Sequence, residues 1–382
     1  MFDHLRQFWW HPPNRPVAFA FFAMSLLFGS WIARLPEIQQ KLALSDGQLG
    51  GCLLAVSLGA LITTALSNYL FQGLRGGRAT YLSIIGLALF VPCVAVAPAV
   101  PSLIAAFVGV GFFNCLLDIA MNNCASAIEQ RDGVRILSTC HGIFSLGGMI
   151  GAALSGALSS WGVHFAPHLT AIALPILVFN FYLRRDLEAL PSLAHAATNW
   201  HWPPPALWSL VIIGFCIMLG EGAVADWSAI YLKNHLGTDA FVAGLGFAGF
   251  SLTMTIGRLS GDRWRERLHN RQIIWGGSLL GALGLFLVAL SAQAIPVVIG
   301  FGLVGLGFSC VVPLLFSQAG RLPGIDPGQG IAAVTGSGIL GFLCGPPLMG
   351  LVAEGFGLAV SFGLVALLAA LAFALSYHQF VD

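Results

Sequence analysis

Charge is what this chain has least of. Only 9% of its 382 residues are charged, where a soluble chain of this size carries roughly a quarter. The net charge is +1, which excludes the basic surface a nucleic-acid partner requires. No pair of cysteines has C-x-x-C spacing, and all eight cysteines sit in apolar stretches. They read as small core residues rather than disulfide partners or metal ligands. No G-x-x-x-x-G-K-[ST] loop occurs, so ATP is not used directly, and no metal or cofactor is expected. The alternating pattern of a membrane barrel is absent too. The first apolar block runs into "RLPEIQQKL" without a small-residue cleavage site, so it is expected to stay in place.

What fills the space left by charge is apolar sequence, 57% of the chain. It falls into blocks near the ~20 residues that cross a bilayer as a helix. Twelve spans are expected at 17–34, 47–71, 79–98, 101–128, 136–160, 167–183, 206–232, 239–259, 272–292, 295–319, 329–353 and 357–377. Backbone groups in lipid must bond internally, so each span is a helix and the fold is an all-α membrane protein. With the N-terminus in the cytoplasm, fourteen arginines fall on the cytoplasmic side. Only Arg34, Lys41 and Lys233 fall outside. That asymmetry sets both termini in the cytoplasm of a cell (inner) membrane.

The spans repeat. "GVGF" at 109–112 returns as "GLGF" at 305–308, and "GI" at 142–143 returns at 338–339, both at an offset of 196. This predicts two parallel six-helix bundles, residues 1–186 and 206–382, joined by a cytoplasmic linker over 187–205. Parallel repeats with a site between them are a transporter plan.

The costly residues lie inside the spans. Asn114, Asp118 and Asn122 are four apart and form one stripe on the fourth span, with Gly111 on the same stripe opening space beside it. Such a stripe is intolerable against lipid and must face the bundle interior or water. Asp118 lies ~16 Å from the cytoplasmic end of its span at ~1.5 Å per residue, and Ser145 of the fifth span ~15 Å. Adjacent helices can therefore bring Asp118 near Ser145 and Asn122 near His141. Glu221 lies near the middle of the seventh span. Either it is a site acid or it pairs with Arg34 as a clamp. Trp227 either stacks on a solute or anchors the span at the interface. His141 is either a satisfied core histidine or a proton relay. Pro313, Pro346 and Pro347 are read as helix bends.

Two stretches, "LRGGR" at 74–78 and "GRLSGDRWRER" at 257–267, resemble the loop motif of the major facilitator superfamily. The second copy keeps Asp262 and Arg263. The first keeps Arg75 and Arg78 but has Leu74 in place of the acid. The resemblance implies a gating latch at these four residues. "LDIAMNNCASAIEQRDGVRILSTCHGIFSLGGMIGA" (117–152), "EGAVADWSAIYL" (221–232), "VVPLLFSQAGR" and "GFLCGPPLMG" are similar to a bacterial inner-membrane branch related to the fucose permease. That resemblance implies a twelve-helix transporter working by alternating access, with Asp118 as coupling acid and Asn122 its partner four residues on. The permease's second acid, in helix 1, has no secure counterpart here.

The expected function is proton-coupled symport of a small polar solute, sodium staying open as the coupling ion. Asp118 and Glu221 are the proton-coupling candidates. Asn114, Asn122, His141, Ser145, Trp227 and Arg34 are the solute-binding ones. Proton-driven efflux and a non-transporting nutrient receptor are the alternatives. A membrane hydrolase is disfavoured, because Ser145 and His141 have no third group or oxyanion hole. The expected partners are solute, protons and the bilayer, and the expected unit is a monomer.

Overall fold

The computed structural model describes residues 8–193 and 203–379. Arg6 and the centre of the expected linker, 194–202, lie outside the described residues. Twelve helices are long and apolar enough to span a membrane, and no strand occurs among the described residues. In chain order the helices are α1 Asn14–Ile32, α2 Leu35–Lys41, α3 Asp46–Gly73, α4 Gly76–Val96, α5 Val100–Asp132, α6 Leu137–Ser160, α7 Phe165–Tyr182 and α8 Arg184–Glu188. They continue with α9 Trp208–Ile230, α10 Ala240–Arg267, α11 Asn270–Leu290, α12 Ala294–Phe308, α13 Val311–Ala319, α14 Pro327–Phe356 and α15 Leu358–Gln379. α2 and α8 are short connectors, and α12 with α13 makes one span in two pieces.

Local chemistry accounts for the interruptions. Pro313 has no N–H to offer the carbonyl four residues back. The tenth span therefore breaks at Ser309–Cys310 instead of bending. Cys310 thus sits between helices, not within one. Pro346 and Pro347 lie inside an unbroken α14. The stretch 257–267, expected as a loop, is the last part of α10, which runs helical to Arg267. Arg258 consequently lies within the eighth span.

Two compact units are distinguished: Met1–Ala43 with Ala55–Ala197, and Leu44–Leu54 with Thr198–Asp382. The divide therefore differs from 1–186 and 206–382 by taking the opening turns of α3 into the second unit. There Gly50 and Gly350 lie so close that a Cβ on Gly50 would be 3.1 Å from the Cα of Gly350. The N–H of Gly47 donates to Glu354 (2.9 Å), and His235 Nε2 lies 3.4 Å from Asp46.

Each unit uses the same pairings. α1 packs on α6 as α9 packs on α14, and α4 on α5 as α11 on α12. The register is not the 196 of the sequence matches. Thr63 bonds Gly59 O (3.2 Å) in its own helix, α3, and Phe112 O (2.8 Å) in α5. Thr253 bonds Gly249 O (3.1 Å) and Gly302 O (2.7 Å) in the same way, each partner displaced by 190. A Cβ on Gly147 would meet Phe22 O at 2.8 Å, and one on Gly341 would meet Phe215 O at 2.7 Å, the glycines 194 apart and their partners 193. Small residues and hydroxyl bonds are how apolar helices associate without a hydrophobic drive. These contacts, not the quoted tetrapeptides, define the repeat.

Candidate functional site

The fourth span, α5, carries the stripe. Asp118 lies well inside this long helix and is exposed, while Asn114 and Asn122 are half-buried. Asn122 Nδ2 donates to both Asp118 Oδ1 (3.0 Å) and Asp118 O (2.9 Å). The i,i+4 spacing thus becomes one bifurcated clamp on the acid. No cation pairs with Asp118 among the described residues. The acid can therefore gain or lose a proton without breaking an ion pair. Gly111 opens no space: a Cβ there would be 1.8 Å from Val56 O, so it lets α3 lie on α5.

Ser145 and His141 lie on α6, whose main partner is α1 rather than α5. Ser145 is buried and turns its hydroxyl back to His141 O (3.2 Å). His141 sets its ring against Phe21, 5.2 Å between centroids. The expected close adjacency of the fourth and fifth spans at these residues is therefore weak, and both are engaged with their own helix or α1.

Arg34 and Glu221 each have partners within their own unit. Arg34 Nη1 reaches both oxygens of Glu37 (2.8 and 2.9 Å), and its Nε donates to His168 Nδ1 at 3.2 Å. Glu221, half-buried on α9, interacts electrostatically with Arg258 of the adjoining α10. Arg258 falls inside the expected eighth span, 239–259, but was not among the candidate site residues. Trp227 is 0% exposed, so it is no interfacial anchor, and its indole N–H has no partner among the described residues.

Of the latch residues, Arg75, Arg78 and Arg263 are exposed. The Asp262 side chain lies outside the described residues. The glycines of "LRGGR" have a clear local reason. A Cβ on Gly77 would be 2.3 Å from Leu187 O, and one on Gly76 2.8 Å from Ser192 Cβ. The segment after the sixth span lies directly on them. Asn123 holds the same segment, accepting from Leu193 N (2.9 Å) and donating to Leu193 O (3.3 Å).

Sequence reasoning missed three further residues. His168 holds Arg34. Glu129 Oε1 accepts the N–H groups of Ile136 (2.5 Å) and Leu137 (2.8 Å), closing the start of α6. Lys41 Nζ caps the end of α4 at Ala95 O (2.9 Å) and Ala97 O (2.7 Å). An acid a few residues before a new helix was the available signal for Glu129. Nothing in the sequence links positions 34 and 168.

The profile of the Major Facilitator Superfamily matches residues 17–324 and 210–380. An uncharacterised MFS-type transporter of Yersinia pestis is 32% identical over 357 residues, 91% of each chain. Membrane protein MosC of Rhizobium meliloti is 30% identical over 345 residues, 90% of this chain and 84% of that one. Among solved structures, a mutant of the nucleoside transporter NupG superposes with TM-score 0.75 at 13% identity, covering 96% of this chain and all of that one. A bacterial homologue of the human lysosomal transporter Spinster, inward-facing and occupied, gives 0.71 at 13% identity, covering 98% and 96%. The two structures show the fold alone; the profile and the relatives reach further. The chain belongs to the major facilitator superfamily: it is a multi-pass membrane protein of a secondary-transporter family, not an enzyme.

Proposed function

We propose that this transporter imports a small polar solute together with protons by alternating access, and that Asp118 is the group that carries the proton. The observation that carries this reading is the Asp118–Asn122 clamp inside a membrane span. A carboxylate set against lipid costs about 2.5–3.5 kcal/mol, so an exposed one at this depth belongs to a water-filled path. It has one amide to orient it and no cation to hold it ionised. The same acid–amide pair supports a place beside the fucose permease branch. Asn114 and Asn122 then contact the solute. Glu221 with Arg258 is a second charged locus in the other unit.

The test is solute uptake in proteoliposomes. Solutes found by thermal shift are offered with an imposed pH gradient, inside alkaline. Accumulation that collapses with the gradient supports symport. Accumulation only with the gradient reversed supports efflux, and binding without flux supports a receptor.

The proposed orientation sets both termini in the cytoplasm. In a cysteine-free background, impermeant thiol reagents added outside should label Gln40→Cys and Ser160→Cys, both exposed positions, and spare His269→Cys. Labelling of His269→Cys alone inverts the orientation. The proposed latch at Asp262 and Arg263 predicts that Asp262→Asn redistributes the distance between spin labels on α3 and α10, and an unchanged distribution removes it.

A further inference from the structure

The network around Arg34 is closed on every side but one. Arg34 is 1% exposed. Its Nη1 is taken by Glu37 and its Nε by His168, but Nη2 has no partner among the described residues. A guanidinium only donates, so His168 Nδ1 must accept. His168 is therefore neutral, with its hydrogen on Nε2. That Nε2 lies 3.5 Å from Ser155 Oγ, and Ser155 gives its own hydrogen to Ser30 O (2.9 Å). Ser159 donates to Glu37 Oε1. Four helices, α1, α2, α6 and α7, thus fix one guanidinium in place, and leave a charged donor unused in a buried setting where an unmet donor is costly.

We propose that Arg34 Nη2 is a solute-binding donor, that His168 is its positioning residue, and that the solute it takes is uncharged and offers a hydroxyl or carbonyl oxygen. This rests on the reading that a solute crosses the protein. The class follows from charge. Arg34 and Glu37 cancel, and His168 is neutral, so the locus carries no net charge to attract an anion. An incoming carboxylate would meet the carboxylate of Glu37 beside the same guanidinium. A cationic group would meet a donor with no lone pair. An oxygen lone pair on a neutral molecule meets neither objection. Trp31, three residues earlier, is buried and packs against Phe28 (5.9 Å) and Phe107 (5.5 Å). Because Arg34 is buried here, a solute would reach the donor in another state of the transport cycle.

The experiment is thermal shift and equilibrium binding on the purified full chain. The uncharged probes are D-glucose, myo-inositol and uridine. D-glucuronate and uridine 5′-monophosphate are the anions built on the same frames. At least one uncharged probe should bind, with its anionic counterpart about tenfold weaker or worse. His168→Asn, whose Oδ1 can accept from Nε, should keep the affinity of the bound probe. His168→Ala should weaken it about tenfold, the size of one charge-assisted hydrogen bond. Arg34→Lys, which keeps the charge but lacks the fork, should show the same loss and serves if His168→Ala does not fold. Absence of binding by every uncharged probe, equal binding of the anions, or wild-type affinity in both His168→Ala and Arg34→Lys overturns the proposal. Proton-driven uptake is read separately. Discrimination with no proton coupling would leave this inference standing, and coupling without discrimination would remove it alone.

Discussion

Replacing Glu129 with alanine removes the acceptor that closes the start of α6. The residue is half-buried at the end of α5, and its chain turns there through Gly133 in the left-handed region (φ 68°). Ile136, the cap of α6, supplies no side-chain bond of its own, so the carboxylate seven residues earlier does the capping. Two N–H groups lose their partner. At about 1 kcal/mol each, the usual cost of a lost N-terminal cap, the alanine variant should be about 2 kcal/mol less stable. Glu129→Gln keeps an oxygen acceptor and loses mainly the charge at the helix N-terminus, which is worth about 0.5–1 kcal/mol. The order should therefore be wild type, then glutamine, then alanine. Reversible unfolding in mixed micelles with increasing dodecyl sulfate reads these differences. An alanine variant within about 0.5 kcal/mol of wild type, the scatter of a surface substitution, refutes the capping role. So does a glutamine variant as unstable as alanine, because the effect would then lie in charge and not in the two bonds.

Thr63→Val and Thr253→Val should each cost about 0.6 kcal/mol, the average for hydrogen bonds between membrane helices, and the double variant should show the sum. Unequal costs in the same unfolding assay would argue against the 190-residue register of the two units. Gly77→Val should push the segment from Arg184 to Leu193 off α4, because the space is filled by Leu187 O at 2.3 Å. Faster tryptic cleavage at Arg184 or Arg185 is the expected sign, and an unchanged rate refutes it.

The span count was legible because each helix must hide its own backbone, so apolar length alone declares it. The Asp118–Asn122 pair was legible for a related reason: four residues apart on a helix is a contact, whatever surrounds it. Partners across helices were not. Arg34 had two acids within reach of imagination, Glu37 three residues away and Glu221 on another span. The local acid won, with His168 supplied by a helix that no spacing rule connects to position 34. Arg258 was inside the expected eighth span, but its proximity to Glu221 depends on how α9 and α10 pack, which no spacing rule gives. Gly111 and Gly77 show the same limit. A glycine announces a close approach but not what approaches: Val56 in one case, Leu187 in the other. The repeat was visible as a plan, but its register is set by threonine hydroxyls reaching carbonyls on neighbouring helices, which the matching tetrapeptides do not contain.

Asp118→Asn in proteoliposomes tests the central claim most directly. The amide is nearly isosteric with the acid and can still bond Asn122, so the fold and solute contacts are retained while the titrating group is gone. With a solute that wild type accumulates under a pH gradient, the variant should bind it and exchange labelled for unlabelled solute across the membrane. It should not concentrate the solute when the gradient is imposed. Asp118→Leu should lose binding as well. If Asp118→Asn still concentrates solute with the wild-type dependence on pH, Asp118 does not carry the proton, and the account is contradicted at its centre.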